Sequence, residues 1–441
     1  MIKRILYTLL IMFPVLASAQ INTDRVMAIG RNALYFEDYV LSIQYFNQVI
    51  NAKPYLSDPY FYRGLAKINL DDFQGAESDC SEAIERNPFV VSAYQVRGLA
   101  RIQQNNFAGA IEDYTKALEF DPENIGVWHN MALCRIRQED YKGAKNDLDK
   151  LIAISPRYTK AYLMRGEVDL KQKDTLAAEK DFGKAIEIDR YDADTWASRA
   201  ILRLQQQRYK DAEADFDHAI RLSTRNSGVY INRALARYHQ NNLRGAMSDY
   251  DIALDIDPNN FIGHYNRGLL RAQVGDDNRA IQDFNFVIEM EPDNMMAIFN
   301  RGLLLDQTGD YKGAIKDYST VINEYPNFLL GYQYRAQARR KIGDVKGADA
   351  DEFKVLKAQL DKQNGVDPNK QTADNTENNK TRKKSDKNMN NYRKIVVADN
   401  EEGEEKYKSD YRGRVQDKNV NIVPQPMFVL TYYEKHDDVK R

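Results

Sequence analysis

Cysteine is almost missing from this chain: Cys80 and Cys134 are the only two in 441 residues. An exported chain could oxidise them, but the periodicity described below puts them on different helices two repeats apart, and both read as small buried hydrophobes. Net charge is missing too. Lys+Arg 63 against Asp+Glu 65 leaves a formal −2, which excludes a field that would gather nucleic acid or anionic lipid. Histidine is sparse, and none of His129, His218, His239, His264 and His436 shares a helix face with another histidine or a cysteine at ligand spacing. The chain has no phosphate-cradling glycine loop, nucleophile elbow or two-histidine helix motif. The expectation is therefore no catalytic residue, no metal, no cofactor and no enzyme. Nor does any stretch reach the roughly 18 apolar residues that a membrane helix needs.

The first twenty residues differ from the rest. Lys3 and Arg4 precede a mostly apolar run from Ile5 to Leu16, and Ala17-Ser18-Ala19 stands before Gln20. This is the layout of a secretory leader over residues 1–19, with cleavage expected between Ala19 and Gln20. No cysteine follows closely enough to carry a lipid anchor. The expected location is periplasmic or secreted, without membrane insertion after cleavage.

What the chain has in abundance is a period of 34. Gly30, Gly64, Gly98, Ala132, Gly166, Ala200, Ala234, Gly268, Gly302 and Ala336 recur at that spacing, as do Ser42, Ala76, Ala110, Ala144, Ala178, Ala212, Ala246, Ala280, Ala314 and Ala348. Counted from Thr23, the units start at residues 23, 57, 91, 125, 159, 193, 227, 261, 295 and 329, and the two columns are positions 8 and 20 of each unit. Bulky residues stand at position 4 (Tyr60, Tyr94, Trp128, Tyr162, Trp196, Tyr230) and position 24 (Phe46, Tyr114, Leu148, Phe182, Phe216, Tyr250, Phe284, Tyr318). Their spacing is helical in two stretches per unit, parted by turns such as Gly275-Asp276 and Gly309-Asp310. Small residues facing each other let two helix axes approach, while the bulky ones fill the flanks. Neither helix buries its face alone, so each unit depends on its neighbours.

The pattern resembles the tetratricopeptide repeat, and blocks such as Tyr265-Asn266-Arg267-Gly268 and Tyr311 to Tyr318 carry the likeness. It covers about residues 23–362, ten copies in phase. The resemblance implies an all-α, right-handed α-solenoid superhelix whose first helices line a concave groove that binds peptides or proteins. Arg190 and Thr224 depart from the closing proline, and Glu352 stands where an aromatic belongs, as suits a capping repeat.

Charge follows the same period. Position 7 holds Arg63, Arg97, Arg165, Arg199, Arg233, Arg267, Arg301 and Arg335, with Met131 the exception, and position 11 adds Lys67 and a further set of arginines. Position 23 is Asp79, Asp113, Asp147, Asp181, Asp215, Asp249, Asp283, Asp317 and Asp351. Both columns adjoin buried positions, so an Arg–Asp ladder is expected to set the repeat geometry. The other reading is that surplus arginines leave a basic strip for acidic partners.

Positions 5, 9 and 12 of the first helix form the candidate partner-binding stripe: Phe61, Leu65, Ile68, Leu99, Ile102, His129, Leu133, Ile136, Leu163, Ile201, Leu204, Ile231, Leu235, Tyr238, Tyr265 and Phe299. Two readings stand. Adjacent helices bury this stripe among themselves, or the groove stays open for an apolar or amphipathic peptide. The Lys and Asn set with which some relatives clamp a terminal carboxylate is absent. Asn130, Asn232, Asn266 and Asn300 at position 6 either bond a peptide backbone or are solvated or packed.

Beyond the repeats, residues 363–405 are polar and read as a disordered linker. Residues 406–441 regain apolar side chains, among them Val420, Ile422, Phe428, Leu430, Tyr432 and Tyr433 around Pro424 and Pro426, which argues an extended segment. That segment is expected to dock on the solenoid or to pair with a partner, or it belongs to a longer relative. The functional expectation is a scaffold or adaptor for a protein or peptide in the periplasm or envelope. The alternative is a chaperone-like holder of apolar segments of exported proteins.

Overall fold

The computed structural model describes residues 22–222, 225–363, 389–396 and 398. The leader over residues 1–19, residues 364–388 of the expected linker and the whole 406–441 segment lie outside the described residues. Among the described residues twenty α-helices, from Thr23–Tyr35 to Val345–Gln363, pair into ten helix-turn-helix repeats at the spacing read from the sequence, and the fold is all-α. We call the two helices of a repeat A and B.

One backbone device closes each A helix. The residue at position 15 is left-handed throughout, with φ between 59° and 65° in Glu37, Asp71, Asn105, Glu139, Lys173, Gln207 and Asn241, and between 80° and 93° in Gly275, Gly309 and Gly343. A side chain in this conformation costs about 1 kcal/mol or more. The turn offsets that cost by capturing helix carbonyls: the Asp72 N–H donates to the Lys67 carbonyl at 3.0 Å and the Asn106 N–H to that of Arg101 at 2.8 Å. Asx side chains next in sequence then cap the B helices, Asp72 accepting from the Gly75 N–H at 2.9 Å and Asn106 from that of Gly109 at 3.0 Å.

Between the two helices the small column sets the distance. A Cβ on Gly98 would stand 2.8 Å from the Tyr114 ring, and one on Gly64 would stand 2.9 Å from the Cys80 sulfur, which replaces the ring in that repeat. The aromatics of position 4 tie the start of a repeat to the end of the preceding one. Trp128 Nε1 donates to the Pro122 carbonyl at 2.8 Å, the Tyr162 hydroxyl to that of Pro156 at 3.1 Å and Trp196 Nε1 to that of Arg190 at 3.0 Å. The bond needs only a carbonyl, so Arg190 serves in place of proline.

The chain divides into two compact units at Asp181 and Phe182, within the B helix Thr175–Ile188. In unit 1 the core runs through Tyr94, Tyr114, Trp128, Leu148 and Met164. Cys80 and Cys134 are buried there as free thiols, and burial pushes both upward, Cys134 to about 12, so neither offers a thiolate at neutral pH. In unit 2 the core runs through Phe216, Tyr250, Phe284, Phe299 and Tyr318. Glu352 is exposed and paired with Arg340, and Phe353, Leu356 and Leu360 leave the outer face of the last helix apolar.

Candidate peptide groove

The charged columns meet. Arg97 Nη2 lies 2.6 Å from Asp113, Arg165 Nε 2.6 Å from Asp181, Arg199 Nε 2.8 Å from Asp215, Arg233 Nη2 2.6 Å from Asp249, Arg267 Nη2 2.7 Å from Asp283, Arg301 Nη2 2.7 Å from Asp317 and Arg335 Nη2 2.6 Å from Asp351, and Arg63 pairs with Asp79 in the same way. All nine aspartates are buried. Position 11 adds a second cation to most of them, such as Lys67 on Asp79 at 2.9 Å and Arg237 on Asp249 at 2.9 Å. A strip of surplus arginines free for acidic partners is not what this arrangement leaves: the position 7 and 11 side chains converge on the same carboxylates.

The ladder also staples successive repeats, which the sequence columns did not reveal. Most position 7 guanidiniums turn their remaining edge to position 25 of the preceding repeat: Arg63 donates to Asn47 at 2.6 Å, Arg97 to Ser81 at 3.0 Å, Arg233 to Asp217 at 2.7 Å and Arg301 to Asn285 at 2.9 Å, whereas Arg199 finds Gly183 at that position and keeps to Asp215. A single Arg fork serves both repeats because its donors point in two directions. A polar column at position 25 was the available signal. Position 11 reaches position 21 of the preceding repeat likewise, with Arg101 on Glu77 and Arg237 on Glu213, both at 2.8 Å. Repeats four and five invert this pair: Lys145 stands at position 21 and meets Asp169 at position 11.

Met131 leaves one carboxylate short of charge. Asp147 is held by Arg135 alone, at 2.7 Å, and Arg135 divides itself with Asp140 at 2.8 Å. Burial therefore prevails and pushes the Asp147 carboxyl up to about 6. The unfolded chain ionises near pH 3.9, so the folded state pays nothing below about pH 4 and loses stability as pH rises to about 6, by roughly 3 kcal/mol. The difference in urea unfolding between wild type and Asp147→Asn should show it. The variant is expected to match wild type near pH 4 and to exceed it at pH 7; a variant no more stable at pH 7 would refute the assignment.

The stripe residues sit on the A helices as expected, and none is exposed. In unit 1, Leu65, Ile68, Ile102, His129, Leu133 and Leu163 are buried, and Phe61, Leu99 and Ile136 half-buried. His129 lies 3.2 Å from the hydroxyl of Tyr158, the last residue of its repeat, directly before the next A helix. Phe61, Leu65, Ile68 and Leu99, from two successive A helices, share one cluster.

In unit 2 a piece of the chain's own tail lies on the stripe. Residues 389–396 and 398 fall in the stretch expected to be a disordered linker, and that expectation does not hold for them: a short 3-10 helix, Met389–Asn391, leads through a turn at Tyr392 and Arg393 into a non-helical stretch against the A helices, which we call the strand. The strand's backbone is read by the position 6 asparagines. The Asn266 side chain donates to the Val396 carbonyl at 2.7 Å and accepts from the Val396 N–H at 2.8 Å; Asn232 repeats both bonds on Ala398 at 3.0 Å each. The Asn300 amide and the Tyr265 hydroxyl, the latter at 2.8 Å, both donate to the Tyr392 carbonyl. A primary amide presents donor and acceptor together, which matches the paired N–H and C=O of one residue in an extended chain. Asn232 and Asn266 are fully buried, so these bonds also satisfy groups that would otherwise cost about 1–3 kcal/mol each.

Apolar contacts set the register. Tyr392 meets Phe299 edge to face with ring centroids 4.8 Å apart. Met389, Tyr392 and Val396 join the cluster of Tyr265, Phe299 and Leu304; Ile395 joins that of Leu204, Ile201 and Leu235; Ala398 joins Ile231. Tyr238 lies beside the strand on a cavity wall. The signal in the sequence was Tyr392 and the run Ile395-Val396-Val397-Ala398, a brief apolar return within polar surroundings. The 406–441 segment, to which docking was assigned, lies outside the described residues.

Among the described residues no group of three or more His, Cys, Asp or Glu is placed to hold a metal ion, and no helix is long and apolar enough to cross a membrane.

No curated protein matches the chain. Among solved structures, a tetratricopeptide repeat protein from Parabacteroides merdae is 21% identical, with 56% of this chain and 98% of that one covered at a TM-score of 0.45. The C-terminal part of a TPR repeat-containing protein from Cytophaga hutchinsonii is 18% identical, covering 54% and 97% at 0.45. The pilF protein of Pseudomonas aeruginosa is 20% identical, covering 46% and 92% at 0.40. Family models described as tetratricopeptide repeat match residues 125–158, 159–192, 198–261 and 265–327, and one described as TPR repeat matches 98–134. Together they take in about half of the sequence, in phase with the paired helices, and the chain belongs to the tetratricopeptide repeat family.

Proposed function

We propose that this chain is an exported, non-enzymatic protein-interaction scaffold of the bacterial periplasm or envelope, which binds an extended segment of another protein along the A helices of unit 2. One observation carries the reading: Asn232 and Asn266 each grip both polar groups of one backbone residue, at Ala398 and Val396. Such bonds recognise an extended chain irrespective of its side chains, and the apolar stripe between them adds selection. The leader-like pattern from Lys3 to Ala19 supports export.

Site-specific photo-crosslinking in living cells from Leu303, on the groove side of unit 2, tests the binding reading. One or a few stoichiometric partners are expected, with none from a probe at Phe353 on the outer face. Many partners at low yield would point to a holder of apolar segments, and equal yields from both probes would refute the groove. Intact mass of the recovered chain, expected to start at Gln20, tests export; a chain retaining Met1 in the cytoplasm would overturn it.

A further inference from the structure

The strand on the unit 2 groove fits its backbone bonds better than its side-chain space. Beside it is a cavity of about 360 Å3, walled by Tyr238, Leu269, Gln273 and Leu303 on the A helices and by Arg393 and Ile395 on the strand. Its lining mixes polar groups such as Gln273, Asn300 and Gln307 with apolar surface from Tyr238, Leu269 and Leu303, and a larger apolar side chain on the strand would pack against that apolar part. The backbone ladder thus holds a strand that leaves part of the site unfilled.

Resting on the scaffold reading above, we propose that residues 389–398 are a displaceable internal occupant of the groove. The outside ligand is an extended peptide segment of another protein that takes the same Asn232–Asn266–Asn300 ladder, keeps an aromatic at the place of Tyr392, and carries a larger apolar side chain at the place of Ile395. The internal strand is joined to the last repeat through residues 364–388. Covalent attachment places such a segment at an effective concentration of order millimolar, so a peptide of equal fit is excluded and only a better-fitting one enters. The groove is then selective for side-chain volume although its strongest contacts are to backbone.

Two fluorescein-labelled probes test this on the full chain: a peptide with the sequence of residues 388–399, and the same peptide with Ile395→Trp. Protein variants are Tyr392→Ala, which loosens the internal strand, and Tyr392→Ala combined with Asn232→Ala and Asn266→Ala. The native-sequence probe is expected to bind Tyr392→Ala at least about tenfold more tightly than wild type, because a tethered competitor has been weakened. The tryptophan probe should bind that variant several-fold more tightly again, and the asparagine substitutions should abolish both. Equal binding to wild type and Tyr392→Ala, or a tryptophan probe no tighter than the native one, overturns the proposal.

Amide hydrogen exchange on the label-free proteins guards against misfolding of the variants. The Val396 and Ala398 amides should be protected in wild type and exposed in Asn232→Ala/Asn266→Ala, while the protection of the unit 1 helices is unchanged. Fast exchange of both amides in wild type would refute internal docking, and a protection that rises with protein concentration would assign the strand to a second copy instead. The outcomes separate from those of the scaffold reading: displacement by the probes with no partner crosslinked in cells retains the gated groove and removes the scaffold, whereas partners crosslinked at Leu303 with no effect of Tyr392→Ala do the reverse.

Discussion

Asp249→Ala should destabilise unit 2 by about 3–5 kcal/mol, the largest single effect expected in the molecule. Asp249 is fully buried, burial pushes its carboxyl up, and it is held by two guanidiniums: Arg233 through both oxygens at 2.6 and 3.0 Å, and Arg237 at 2.9 Å. Removing the carboxylate leaves both cations largely out of water and facing one another. Arg233 would keep Asp217 of the preceding repeat, at 2.7 Å, and Arg237 would keep Glu213 with a looser contact to the same Asp217 at 3.8 Å. The cost comes from the orphaned partners, so Asp249→Ala with Arg233→Met should be milder than Asp249→Ala alone. Because stability in a repeat array is a sum over units and interfaces, a global melting point would understate the loss. Amide exchange across the B helix Leu243–Ile256 and the adjoining A helices is the suitable readout. A uniform loss below about 1 kcal/mol would show the ladder to be replaceable by water.

Lys145→Glu and Asp169→Arg should each cost about 3 kcal/mol in unit 1, and the double variant should return to within about 1 kcal/mol of wild type. Asp169 is 1% exposed and its cation is Lys145, so a glutamate at 145 sets two carboxylates together and an arginine at 169 sets two cations together. Combined, they recreate the arrangement of repeats two and three, where Arg101 bonds both Glu77 of the preceding repeat and Asp113 of its own. The same geometry is available at the inverted step, since Asp181 occupies the place of Asp113 and already accepts from Arg165. Additive losses in the double variant, measured by urea unfolding of the full chain, would mean that the two side chains do not act as a pair.

The two charge features differ in how visible they were. Arg and Asp columns at positions 7 and 23 could be paired from the sequence because each adjoins a buried position, and a buried charge needs a partner. Position 25 gave a weaker cue, a polar column only, since Asn47, Ser81, Asp217 and Asn285 read as ordinary surface residues of a helix until the next repeat brings an arginine against them. Asp169 broke a column of basic residues and was legible only as an exception. The left-handed residue of each turn was visible at Gly275 and Gly309 and hidden at Glu37, Asp71 or Lys173, where hydrogen bonding rather than residue type sustains the conformation.

Sequence alone determined the helical pairs, their length and the small-against-bulky core, because each follows from a periodicity that spans at most one repeat and its neighbour. It also named Asn232, Asn266 and Asn300 as able to bond a backbone, without deciding whether they do. Only the tertiary structure decided that they grip residues of the chain's own tail, across separations of 92 to 166 positions. Local polarity had marked that tail as unable to fold by itself, which is correct reasoning for a segment with nowhere to dock. The stripe it lies on and the buried amides that satisfy it exist only after three successive repeats have stacked, so no window of sequence contains both halves of the site.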